Sequence, residues 1–188
     1  MKKVDLDNFG FVQAKLPENV LTELQKECAN TSNKKEMISG LTKPGVAPHC
    51  YLQNQNVFKG IQKVIDDMLD LYTKEYQPYL GNMGFLDKNL PIVFGKPWIN
   101  YQKPHEYIPL HKHSGVFSYN VYVSLPEESV FEFHYLSTIG TSMCHRFNLT
   151  KEDIGVVTIF PSTLQHVVYP FQGKETRITV AGNLLFKT

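Results

Sequence analysis

The sequence predicts a mainly β fold, a sandwich or a barrel, with helices ahead of it in the chain. From about residue 90 onward, short β-branched and aromatic runs are bounded by Pro and Gly, which is typical of strands and turns. Before that point, two longer segments repeat apolar residues at helical spacing. Many short strands without intervening helices favour a sandwich or a barrel, and the helices are expected to cover one outer face of it.

Length and composition limit the class of protein. The chain has 188 residues, 42% of them hydrophobic and 20% charged, which suits one globular domain. The net charge of +1 gives no strong electrostatic field, so neither nucleic acid nor a membrane is expected as a partner. No signal peptide follows Met1, and the three cysteines form no paired motif. A reducing, cytoplasmic location is therefore expected.

The N-terminal part is predicted to be a helical support region. A short strand is expected at residues 9–13, and a first helix is expected to open at Pro17. A second, longer helix is expected at about residues 56–77, where an apolar face and a charged face alternate with helical period. Polar and Pro/Gly-rich runs at residues 30–35 and 43–48 predict loops.

The C-terminal part is predicted to form the β core. Seven strands are expected, near residues 92–101, 107–113, 116–125, 129–136, 154–160, 165–169 and 175–186. No internal repeat or linker divides the chain. The expected organisation is one domain, residues 1–188, with the support region at about 1–90 and the core at about 91–188.

Two histidines, His111 and His113, lie one residue apart in a predicted strand. Residues i and i+2 of a strand point to the same face, so both imidazoles are expected to face one space. Neutral imidazole binds iron, zinc, copper and nickel, which makes the pair a candidate half of a metal site. His166, at the start of a later β-branched run, is the candidate third ligand. A single histidine is more often a hydrogen-bonded core or surface residue, so the spacing carries this prediction.

Arg177 is the candidate anion-binding residue, because it lies in a strand of otherwise apolar and β-branched residues. A buried arginine either pairs with a protein acid or binds an anionic ligand. If the pairing is structural, Glu132 and Glu175 are the candidate acids. The sequence leaves both readings open.

Residues 95–186 resemble the Fe(II)- and 2-oxoglutarate-dependent oxygenases, most closely a phage and bacterial branch of prolyl-4-hydroxylase-like members. Five segments carry the resemblance in a fixed order: residues 98–101, 111–113, 118–126, 155–166 and 177–183. The order and the spacing of these segments are more specific than any one of them.

The resemblance implies a double-stranded β-helix core, a jelly roll as in the cupins, and a 2-oxoglutarate-dependent dioxygenase. It implies Fe(II) and 2-oxoglutarate as cofactors, with ascorbate as an accessory reductant. The implied metal ligands are His111, His113 and His166; the implied 2-oxoglutarate ligands are Arg177, Thr179 and Tyr101; no catalytic residue beyond the metal ligands is implied. The implied reaction is hydroxylation of a small molecule or a peptide, and peptidyl proline follows from the branch alone. Oligomeric state is not predicted.

His113 departs from the family pattern, which has an aspartate or a glutamate as the second metal ligand. Either His113 binds the metal, or Glu106 or Glu132 supplies the carboxylate, or the site prefers zinc or nickel. Two alternative functions remain open. One is a cupin-type three-histidine metalloenzyme that does not use 2-oxoglutarate, and the other is a non-catalytic ligand-binding jelly roll.

Overall fold

The structure is a computed structural model, and it describes residues 10–30, 49–80, 92–137 and 139–187. In chain order its elements are β1 (Val12–Lys15), α1 (Glu18–Ala29), β2 (His49–Tyr51), α2 (Gln55–Leu80), β3 (Ile92–Phe94), β4 (Trp98–Gln102), β5 (Ile108–His111), β6 (Phe117–Ser124), β7 (Ser129–Leu136), β8 (Ser142–Leu149), β9 (Val156–Pro161), β10 (Gln165–Val168) and β11 (Arg177–Phe186). The loops expected at 30–35 and 43–48 lie, except for residue 30, outside the described residues.

The strands form two antiparallel sheets. The larger sheet has the order β1-β9-β6-β11-β4-β2, with β3 also paired to β11, and the smaller sheet has the order β5-β10-β7-β8. Strands that follow each other in the chain, such as β5 and β6 or β9 and β10, lie in different sheets. This alternation between two sheets is the jelly-roll topology, so the predicted fold class is confirmed.

Each face of the larger sheet packs against a different layer. On the outer face, Val121 and Val180 pack with Ile61 of α2 in one apolar cluster. On the inner face, Tyr122 packs with Phe133 of the smaller sheet in a second cluster. Neighbouring residues belong to different clusters because side chains alternate along a strand. The expectation that the helices cover one outer face of the β core is confirmed.

Both helices begin where the sequence predicts. The carbonyl of Pro17 accepts the backbone N–H groups of Val20 and Leu21 in the first turn of α1. Before α2, the side-chain oxygen of Asn54 accepts the backbone N–H groups of Asn56 and Val57 at 3.0 and 3.2 Å, which caps the helix. No helix in the described ranges is long and apolar enough to cross a membrane.

Three features of the fold differ from the prediction. The run 92–101 divides into β3 and β4, and β8 was not predicted because most of its residues are exposed and show no apolar alternation. An edge strand buries little of either face, so its sequence lacks the usual period. β2 (His49–Tyr51), a strand of the larger sheet within the support region, was also not predicted, whereas β1 overlaps the short strand expected at residues 9–13.

Candidate metal centre

Three histidine side chains converge on the inner side of the smaller sheet. His111 of β5 lies directly opposite His166 of β10 in the antiparallel ladder. His113 follows the end of β5, and its backbone N–H donates to the Ser162 carbonyl at 2.9 Å. One ring nitrogen from each histidine lies within 4.8 Å of the others, a grouping that could hold a metal ion. The structure therefore brings together the three residues that the sequence proposed as ligands.

Hydrogen bonds to the backbone orient two of the three rings. Nδ1 of His111 lies 2.7 Å from the carbonyl oxygen of Pro109, and Nδ1 of His166 lies 3.0 Å from that of Leu164. A carbonyl only accepts, so each Nδ1 carries the proton and each Nε2 is unprotonated, with a lone pair that can bind a metal. Metal-binding histidines commonly have this arrangement, in which the second ring nitrogen donates to a fixed acceptor.

The ring nitrogens of His113 and His166 face each other, with the two Nε2 atoms 3.2 Å apart. Burial, together with the smaller effect of the neighbouring His111, lowers the pKa of His166 to about 3. Burial likewise lowers the pKa of His113 to about 4, and that of His111 below its usual value. All three imidazoles are therefore neutral at pH 7, which is the protonation state that binds a metal.

Arg177 lies on the inner face of β11, where only 2% of its surface is exposed. Its Nε and Nη1 atoms have no hydrogen-bond partner within the described ranges. Burial lowers the pKa of its guanidinium to about 10, and the centre of the guanidinium lies 5.7 Å from the centroid of the Tyr122 ring. A buried cation with unused donors is unfavourable unless an anion binds there.

The structural salt bridge considered for Arg177 is not formed. Glu132 accepts hydrogen bonds from Arg146, from Tyr169 at 2.9 Å and from His134 at 3.1 Å. Glu175 pairs with Lys151 at 3.1 Å. Both candidate acids are therefore engaged elsewhere.

The two carboxylates considered as second metal ligand are also not at the histidine cluster. Glu106 accepts the backbone N–H of Lys103 at 2.7 Å, which ties it to its own turn. On β7, Phe131 and Phe133 face the inner cluster, so Glu132 between them points to the other side of the sheet. Neither carboxylate belongs to the group of described residues that could hold a metal ion, which includes His113, so the structure does not support either as its replacement.

Thr179 and Tyr101, the other predicted 2-oxoglutarate ligands, lie on opposite faces of the larger sheet. Thr179 shares the face of Arg177 and accepts a hydrogen bond from the side chain of Asn100 at 3.3 Å. Tyr101 pairs with Ile178 in the ladder, and its hydroxyl donates to the carbonyl of Cys28 at 3.0 Å in the helix-side core. The assignment of Tyr101 is wrong, because it alternates away from Arg177.

Tyr122 is the aromatic residue that sequence reasoning missed. It lies opposite Thr179 in the ladder between β6 and β11 and therefore on the face of Arg177. Burial raises the pKa of its hydroxyl, although the charge of Arg177 opposes that shift, so the hydroxyl is a donor at pH 7. The alternation along residues 118–124 shows which side chains share a face of β6, but it does not show which of the two faces is the inner one.

Comparisons with known proteins agree with the fold and the cluster. Residues 96–183 match the family described as "Putative 2OG-Fe(II) oxygenase". No curated protein sequence matches the chain. A prolyl-4-hydroxylase from Pseudomonas putida has 15% identity and a TM-score of 0.64, with 95% of this chain and 94% of that chain covered.

Two further solved structures are similar over most of the chain. A prolyl hydroxylase from Trichoplax adhaerens, in complex with a hypoxia inducible factor peptide fragment, has 11% identity and a TM-score of 0.65, covering 94% of this chain and 84% of that one. HygX from Streptomyces hygroscopicus, with nickel, 2-oxoglutarate and hygromycin B bound, has 12% identity and a TM-score of 0.59, covering 95% and 84%. At such identities these likenesses show the shared fold.

The family match rests on sequence, so it carries information about the site that a shared fold does not. It spans β4 to β11 and so includes the histidine cluster and Arg177. Its cofactors, Fe(II) and 2-oxoglutarate, suit three neutral imidazoles and a buried arginine. Over residues 96–183, just under half of its length, the chain is therefore similar to the 2OG-Fe(II) oxygenases, and its fold and histidine cluster agree with that similarity.

Proposed function

We propose that the chain is a hydroxylase in which His111, His113 and His166 hold Fe(II), and Arg177 holds the distal carboxylate of 2-oxoglutarate. The observation that carries the second part is the buried guanidinium, which has two nitrogens without a partner among the described residues. A three-histidine metalloenzyme that does not use 2-oxoglutarate gives no reason for that cation. Thr179 and Tyr122 supply hydroxyls on the same face.

In this proposal the residues of the chain bind and orient the metal and the cosubstrate. The carbonyls of Pro109 and Leu164 fix the rings of His111 and His166, so each Nε2 is aimed at the cluster. The planar fork of Arg177 can donate two parallel hydrogen bonds to a carboxylate, and its burial strengthens them. When bound, Fe(II) and 2-oxoglutarate supply the chemistry that inserts one oxygen atom of O₂ into a C–H bond while 2-oxoglutarate becomes succinate and CO₂.

As the substrate we propose a prolyl residue of a peptide. Support comes from the prolyl hydroxylases among the similar structures, one of which is in complex with a peptide fragment. We also propose that the chain is one domain, because β1 and β2 complete the sheet that carries Arg177. The sequence also left zinc or nickel open as the metal.

Anaerobic titration tests the metal and the cosubstrate separately. Trp98 is the one tryptophan of the chain, and its ring lies 5.6 Å from that of His113, so its fluorescence should be quenched by Fe(II) or Co(II) at the cluster. Adding 2-oxoglutarate to the Fe(II) protein should then produce the visible charge-transfer band of the chelate. His134→Ala, a histidine bound to Glu132 outside the cluster, is the matched control. Quenching without the band would contradict 2-oxoglutarate use, and no quenching would contradict the metal site.

A further inference from the structure

Two aromatic residues, Tyr51 on the edge strand β2 and Trp98 on the neighbouring strand β4, lie opposite each other in the larger sheet, and we call this pair the aromatic wall. Their ladder neighbours Cys50 and Ile99 belong to the helix-side core, so both aromatic side chains point to the other face, that of Arg177. Both are only half-buried. The Trp98 ring lies 5.6 Å from the ring of His113, so the wall borders the metal centre.

Lys96 places a positive charge on the wall. Its Nζ lies 4.1 Å from the centroid of the Tyr51 ring, a cation–π contact, and its side chain is otherwise exposed. Within the described ranges, it forms no ion pair with an acidic side chain. Neither Lys96 nor the aromatic wall has a part in holding the metal or the cosubstrate as proposed above.

We propose that the aromatic wall contacts the substrate and that Lys96 selects a peptide with acidic residues beside the oxidised ring. This inference rests on the proposed function and names the substrate class of that same site. Flat aromatic faces next to the metal suit the C–H-rich surface of a saturated ring such as a pyrrolidine. The ammonium group of Lys96 at the edge of the wall attracts a carboxylate carried by the neighbouring residues of the peptide.

Two probe peptides test the proposal, Ac-Gly-Glu-Pro-Glu-Gly-NH₂ and Ac-Gly-Lys-Pro-Lys-Gly-NH₂. Each is titrated into the full chain loaded with Zn(II) and 2-oxoglutarate, with Trp98 emission and calorimetry as readouts. The acidic peptide should bind about tenfold more tightly than the basic one, and added salt should reduce the difference. Lys96→Glu should reverse the preference. Lys103→Glu, a lysine whose backbone N–H caps the Glu106 turn, is the matched control and should not reverse it.

The ring of Tyr51 is tested by a conservative pair of variants. Tyr51→Ala should weaken acidic-peptide binding about tenfold, and Tyr51→Phe should retain parent-like binding, because the ring and not the hydroxyl forms the wall. Zn(II) and 2-oxoglutarate affinities should stay at parent values in all of these variants. Equal binding of the two peptides, binding of neither, or equal effects of Tyr51→Ala and Tyr51→Phe would overturn the proposal. Failure of the parent chain to bind Zn(II) or 2-oxoglutarate would instead overturn the proposed function.

Discussion

Replacing Arg177 with methionine should make the ligand-free protein more stable while removing most of its affinity for 2-oxoglutarate. A guanidinium pKa lowered from 12.5 to about 10 corresponds to about 3 kcal/mol against the charged form in the folded state. Arginine is charged at pH 7 in both the folded and the unfolded chain, so the full cost in folding free energy applies at pH 7. It would be relieved only as the pH rises through about 10.

The expected gain in stability is smaller than the full cost, because methionine loses some packing. Replacement of a buried charge by an apolar residue of similar size typically stabilises by about 1–4 kcal/mol. For a chain of this length, a gain of about 1–3 kcal/mol raises the melting temperature by about 3–10 °C. The loss of a charge-assisted pair should weaken 2-oxoglutarate binding by about one to three orders of magnitude. Fe(II) affinity without cosubstrate should be unchanged.

Arg146→Met is the matched control, because Arg146 and Arg177 are the two arginines of the chain. Arg146 is half-exposed and bound to Glu132, so its removal should lower stability and leave 2-oxoglutarate affinity unchanged. Melting curves of the metal-free proteins and calorimetric titration of 2-oxoglutarate into the Mn(II) proteins give both quantities. Equal 2-oxoglutarate affinity in Arg177→Met and the parent, or a less stable ligand-free Arg177→Met, would refute the assignment of Arg177.

Three further predictions concern the histidine cluster. Mn(II) or Co(II) should stabilise the parent by about 2–4 kcal/mol near saturation and so raise its melting temperature. The melting temperatures of His111→Ala and His166→Ala should not rise with metal. A rise equal to that of the parent would place the metal ligands elsewhere. Loss of a residue that merely supports a metal ligand typically lowers metal affinity about 10–100-fold, and His113→Ala should lower Fe(II) affinity by more than that. His113→Asp should still bind metal and decarboxylate 2-oxoglutarate. Unchanged Fe(II) affinity in His113→Ala would exclude His113 as a metal ligand. The metal-free protein should lose stability as the pH falls below about 6.5, because the unfolded chain takes up protons that His113, with its pKa lowered to about 4, does not. The difference between the melting temperatures at pH 7.5 and pH 5 should be smaller in His113→Asn than in the parent. Equal differences in the two proteins would contradict the lowered pKa of His113.

The order of elements and the candidate metal ligands could be predicted from the sequence because both leave local patterns. Apolar residues at helical spacing predicted α1 and α2, and β-branched runs predicted most of the strands. The i, i+2 spacing of His111 and His113 placed two imidazoles on one side of a strand, and His166, at the start of a later β-branched run, was the candidate third ligand. The clustering of these three ring nitrogens agrees with that reading.

Tertiary structure decided the features that depend on which strands pair and which face is inside. Tyr101 and Tyr122 are both tyrosines in predicted strands, but the ladder places only Tyr122 on the face of Arg177. The sequence also could not exclude Glu132, because its engagement by Arg146 depends on the pairing of β7 with the unpredicted strand β8. Strand pairing is a long-range interaction, whereas a sequence pattern reports only the local alternation of a single strand.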